Sequence, residues 1–153
     1  MVELLVETWQ INHRVTVKLL DMLPAEALKA TLSERGGRDI ARQLAHVHEV
    51  RSSRLRKADT PDGITHFAKG ESPPRTKLRK ALDESALGVE RLIRRACADG
   101  GAAGGFKRGV VAMLGYLIAH ESHHRGSILL TAKQTGHTLS EDLRWGIWAW
   151  DKI

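Results

Sequence analysis

The chain has 153 residues, which fits one domain, 1–153, long enough to bury a substantial core without disulfide staples. Its single cysteine, Cys97, excludes an intrachain disulfide, and 24 Lys and Arg against 18 Asp and Glu leave a charge of +6 that permits contact with phosphates or acidic surfaces. The longest nearly apolar run, GVVAMLGYLIA at 109–119, falls short of the ~20 residues that span a bilayer. MVELLVETWQ also lacks the order of a signal peptide, so a soluble, cytoplasmic protein with no membrane partner is expected.

Helical spacing dominates and no sustained alternation marks a strand. The first helix is expected over roughly 2–22, with Leu5, Trp9, Asn12, Thr16 and Leu19 or Leu20 on one stripe, and Pro24 ends it. After the Gly36-Gly37 break a second helix runs from near Arg38 to about Lys57, with Ile40, Leu44, Val47 and Val50 inward. Residues 59–75, which include Pro61, Gly63, Gly70, Pro73 and Pro74, read as a loop. The third helix covers about Thr76 to Ala98, with Leu78, Leu82, Val89 and Ile93 at core spacing. Glycines at 100, 101, 104, 105 and 109 then break the chain. The fourth helix, about 110–135, ends at Gly136 as a left-handed cap, and a short last helix follows Ser140 and carries Trp145 and Trp148. Four long helices with short or loop connections make an all-α four-helix bundle.

Positive charge clusters at Arg51, Arg54, Arg56 and Lys57, at Arg75, Lys77, Arg79 and Lys80, and at Arg91, Arg94 and Arg95. Solvated helix faces account for such clusters. No aromatic residues interleave with them to make a stacking surface, so nucleic acid is not an expected partner.

The chemistry concentrates in HESHHRGSIL at 120–129. His120 and His124 lie about 40° apart on a helix, near enough to share one ion, whereas His123 points away. Two hydrogen-bonded core histidines are the plainer explanation of that pair. A third histidine shifts the balance: His46 lies beside the inward stripe of the second helix, while His48 is rotated toward solvent and is the alternative ligand. Three neutral imidazoles from two facing helices suit Zn²⁺, Ni²⁺ or Fe²⁺ with positions left for water or substrate. The same residues match the H-E-x-x-H of zinc proteases. Metzincins, however, continue with glycine three residues on, where this chain has Ser127, and no strand is offered to hold a peptide.

LAHVHEVR at 44–51, HESHHRGSILLTAKQTG at 120–136 and WGIWAWDK at 145–152 together resemble the DinB-like superfamily of four-helix metalloproteins, over nearly the whole chain. Carried across by position, that family's metal triad falls on His46, His120 and His124. The family often has glutamine after HRG, where this chain has Ser127. The resemblance implies a metal-dependent enzyme: relatives are described as metal-dependent hydrolases, and several transfer or exchange low-molecular-weight thiols such as bacillithiol or mycothiol.

Glu121 falls toward the middle of the apolar face, where it either serves the site as a ligand-orienting group or catalytic base, or pairs with Arg125 or an arginine of another helix. Asn12 reads as an interhelical hydrogen bond and Gly126 as a point of close helix approach. Trp145, Trp148 and Trp150 wall a pocket, seal the core or line a homodimer contact, and Cys97 reads as a small core residue. The expected function is a thiol-dependent S-transferase or related hydrolase acting on a small-molecule substrate. The alternative is a non-catalytic bundle that binds metal or a partner, and a nucleic-acid module comes third.

Overall fold

The computed structural model describes residues 1–58, 64–100 and 103–153. The described residues form five α-helices in chain order: α1 Val2–Met22, α2 Ile40–Arg56, α3 Arg75–Ala98, α4 Gly109–Gln134 and the short α5 Glu141–Gly146. No strand occurs among the described residues, and the helices form the expected bundle. Each of α1 and α2 packs on both α3 and α4, so α1 stands diagonal to α2 and α3 diagonal to α4.

Local chemistry sets the helix ends. Asp39 caps α2 by accepting a 2.7 Å hydrogen bond from the Arg42 amide, and Ser140 caps α5 through the Leu143 amide. Gly136, at φ +85°, closes α4 in a left-handed turn in which the His137 amide reaches back to the Ala132 carbonyl and the Gly136 amide to Lys133. A 3₁₀ turn over Ala25–Lys29, unforeseen in the sequence, buries Ala27 and Leu28 under the bundle. Arg75 donates to the Leu20 and Leu23 carbonyls and so satisfies acceptors at the C-terminal end of α1. Of the expected 59–75 loop, Pro61 and Gly63 lie outside the described residues, as does Gly101 of the later glycine-rich break.

The core is two apolar clusters stacked along the bundle. One gathers Leu19, Leu20, Ile40, Leu44, Leu78, Leu82 and Ile128, and the other Trp9, Leu55, Val89, Ile93, Met113 and Leu117. α3 meets α2 in the second cluster at Gly88, where a Cβ would stand 2.4 Å from Leu55 Cδ1, so a larger residue there would have to displace the buried Leu55 side chain.

Between the clusters lies a polar layer contributed by all four long helices. Arg51, which the sequence places in a solvated charge cluster, is instead fully buried. Its guanidinium grips Glu121 through two 2.7 Å hydrogen bonds, donates to the Leu82 carbonyl at 3.0 Å and lies 4.8 Å from the Trp9 ring centroid. Glu121 also accepts from Asn12 at 2.9 Å and Thr16 at 3.0 Å. Burial alone would raise the Glu121 carboxyl pKa; the Arg51 charge and hydrogen bonds, with Arg125 and Thr16, outweigh it and hold the group below the ordinary carboxylate value. At the layer's edge His13 bonds Asp83 at 2.9 Å, and burial together with the Arg51 charge pushes its pKa down to about 4.

The remaining basic clusters are largely paired across or along helices. Arg79 contacts Asp21 and Asp83, Arg94 contacts Glu3 and Glu90, and Lys77 contacts Glu71. They form ion-paired surface rather than a free cationic stripe.

Removing the Glu121 charge leaves Arg51 buried without its acid. Glu121→Gln is expected to destabilise the fold by about 3–5 kcal/mol, read as a lowered urea midpoint at unchanged slope. A loss below about 1 kcal/mol, the range of surface ion pairs, would contradict this placement of the pair.

Candidate metal centre

Three imidazoles meet where α2 faces α4. His46 comes from α2, and His120 and His124 stand one turn apart on α4. One ligating atom from each lies within 4.8 Å of the others, and the ring centroids are 4.6–5.2 Å apart. His46 Nε2 and His120 Nε2 are separated by 3.4 Å. Two nitrogens on one tetrahedral zinc ion at ~2.0–2.1 Å stand about 3.3 Å apart, so little adjustment is needed to share a cation.

His120 Nδ1 and His124 Nδ1 are buried with no protein hydrogen-bond partner, as is His48 Nδ1, so an unpaired Nδ1 does not by itself mark a ligand. For His46, His120 and His124 alike the pKa is lowered, which favours the neutral ring. Burial is the first cause in each case. For His124 the neighbouring imidazoles add to it and the pKa falls to about 4, and Arg38 lowers all three. Neutral imidazole is the form that ligates. The donor set suits a zinc, nickel or iron ion.

His48 lies outside this cluster, and not for the expected reason. It is fully buried rather than turned to solvent, and its Nε2 donates to the Thr65 carbonyl at 2.6 Å, pinning the segment between α2 and α3. Its ring also lies edge-on to Phe67 at 5.4 Å. His123 is exposed, as its rotation implies.

Glu121, although next to His120 in sequence, turns into the polar layer, where Arg51, Asn12 and Thr16 occupy its oxygens. The ion pair with an arginine of another helix is thus the reading that the geometry realises. A protease-like base would have to give up those bonds, which removes the basis for the H-E-x-x-H reading. Asn12 makes its interhelical bonds, to Glu121 and Arg125. Gly126 corrects its expectation: a Cβ there would meet nothing within 4 Å, so it marks open space, not a close helix approach. Cys97 is partly buried against the second cluster.

Sequence reasoning missed one wall of the site. Tyr116 stacks on His120 with centroids 6.0 Å apart and planes 19° from parallel. Arg54 lies over both Tyr116 and Phe106, at 5.0 and 4.6 Å from their centroids, and its buried Nε has no hydrogen-bond partner. Tyr116 falls one helical turn before His120, a spacing that could have pointed to it. Nothing in the sequence places Phe106 or Arg54 there.

An all-helical bundle with a histidine triad shared between two facing helices defines a candidate metal-binding protein of the four-helix type. The chain matches the DinB family over residues 1–148 and belongs to it. No curated protein and no solved structure matches it. No helix among the described residues is long and apolar enough to cross a membrane.

Variants separate the ligand from its neighbour. His46→Ala is expected to weaken Zn²⁺ or Ni²⁺ binding by about 10-fold or more, since one of three protein ligands is lost. His48→Ala is expected to leave metal affinity unchanged while lowering stability by about 2 kcal/mol through the lost buried side chain and hydrogen bond. Calorimetric metal titration beside urea unfolding reads both. Metal affinity lost in His48→Ala and kept in His46→Ala would reverse the assignment.

Proposed function

We propose that this chain is a divalent-metal-dependent enzyme in which a low-molecular-weight thiol attacks a small electrophilic substrate in the cytoplasm. The observation that carries the reading is the cluster of His46, His120 and His124, three uncharged donors within 4.8 Å, in a member of the DinB family. When bound, the ion supplies the Lewis acidity that keeps a thiol deprotonated at neutral pH.

The chain's own residues set the conditions for that chemistry. Three neutral imidazoles leave the ion's positive charge undiminished, whereas a carboxylate ligand would offset part of it. Arg38 and Arg54 act electrostatically on the rings and make the surroundings favourable to an anionic reactant. Tyr116, with Phe106 tilted 49° to it and Arg54 over both rings, gives the apolar body of an electrophile a surface beside His120. Glu121 is committed to Arg51, so the thiol proton passes to solvent. In the transfer itself a sulfur–carbon bond forms, the bond to the leaving group breaks, and the leaving group departs with its electron pair.

Zinc-loaded protein mixed with 1-chloro-2,4-dinitrobenzene and a panel of small thiols is expected to form thioether and chloride at least about tenfold faster than the uncatalysed mixture. A chelator or His124→Ala should remove the acceleration while circular dichroism stays helical. No metal-dependent turnover with any thiol, in protein shown to be folded and loaded, would overturn the transferase reading; ester hydrolysis under the same conditions would replace the thiol by water.

A further inference from the structure

The face of α4 turned away from the histidines borders a cavity. Its volume is about 270 Å³, at the small end of ligand pockets (~300–1,000 Å³), and it is bounded by Ser122, Arg125, Gly126 and Leu129 of α4 and by Trp148 and Trp150 of the C-terminal segment. Its walls are chiefly apolar. Gly126 leaves its floor open, since a Cβ there would meet no atom within 4 Å. Of the three tryptophans read in the sequence as a candidate pocket wall, Trp148 and Trp150 line this cavity, on the side of α4 opposite the histidines, and Trp145 does not.

The polar end of this cavity is Arg125, whose side chain is 8% exposed. Its nearest acid, Glu121, stands 3.7 Å away and is already held by two 2.7 Å hydrogen bonds from Arg51. Two buried guanidinium groups therefore share one carboxylate, and the layer carries an excess positive charge at the cavity. Arg125 spends three of its five N–H donors, on Asn12, Thr16 and the Ser122 hydroxyl, each at 2.8–2.9 Å. A largely buried guanidinium whose charge is offset only by a carboxylate it shares with Arg51 favours an anion in the adjoining cavity.

We propose that this cavity is a second ligand site, selective for a small carboxylate on a flat apolar body, such as an aryl acid. The carboxylate accepts from Arg125 and Ser122, and the ring lies over Gly126 against Trp148, Trp150 and Leu129. Bidentate geometry favours a carboxylate, and the apolar walls exclude a bare inorganic anion.

The test uses the full chain with benzoate and its neutral isostere benzamide as probes, followed by calorimetry and by the indole N–H signals in ¹H–¹⁵N spectra. Benzoate is expected to shift the Trp148 and Trp150 indole signals while leaving that of the buried Trp9, and to bind about tenfold or more tightly than benzamide, the difference made by one charge-assisted contact. Gly126→Leu fills the floor and should abolish benzoate binding; its helical circular dichroism and zinc stoichiometry serve as the control for folding. Ser122→Ala should weaken benzoate severalfold. Equal affinity for benzoate and benzamide, or unchanged benzoate binding in Gly126→Leu, would overturn the proposal. So would the absence of any benzoate response, including the case in which sedimentation shows the tryptophan face covered by a second copy in a dimer that Trp148→Ala dissociates.

Discussion

A carboxylate sealed inside a helical bundle has to be matched, and here Glu121 is matched by Arg51 from the facing helix. Taking both charges out of water costs several kcal/mol per ion, and the interior attraction returns this only with good geometry and with the other lone pairs and donors satisfied. Both conditions hold: two 2.7 Å contacts join the pair, and Asn12, Thr16 and the Leu82 carbonyl take up the rest. The layer thus ties α1, α2, α3 and α4 at one level between two apolar clusters. Its main consequence is positional. With Glu121 directed inward, His120 and His124 are turned about 100° and about 60° from it round α4, toward α2 and His46. A slip of one residue along α4 would break the ion pair and scatter the triad together.

The electrostatics of the two faces of α4 follow from the same layer. On one side three neutral imidazoles gather beside Arg38 and Arg54, surroundings that oppose a bare cation yet favour a cation accompanied by an anionic reactant. On the other, Arg125 remains with part of its charge and donors unspent. One helix then separates two sites of different chemistry, joined through the contiguous side chains of Glu121 and Arg125.

Much of the frame was legible in the sequence because the signals were local. Helix ends followed from Pro24, the Gly36-Gly37 break, Ser140 and Gly136, and the four-residue spacing of His120 and His124 put both on one face. What stayed hidden depends on partners distant in the chain. Arg51 reads as solvated because an arginine almost never enters a core unpaired, and its partner lies 70 residues away. His48 falls off the apolar stripe of α2, but the stripe does not show that residues around Thr65 fold back to cover it. Gly126 was misread because a glycine on a helix permits either close approach or open space, and only the neighbours decide. The wall formed by Arg54, Phe106 and Tyr116 joins two helices and a turn, so no single window of sequence contains it.

The central claim is that His46, His120 and His124 hold one divalent ion. Protein purified without an affinity tag and subjected to elemental analysis and X-ray absorption at the metal edge tests it most directly. About one zinc, nickel or iron ion per chain is expected, with three imidazole nitrogens at ~2.0–2.1 Å in its shell, and the signal should vanish from a His120→Ala, His124→Ala double variant. A folded wild-type protein that takes up no divalent metal even when it is supplied, or a double variant that keeps the same metal and shell, would contradict the account.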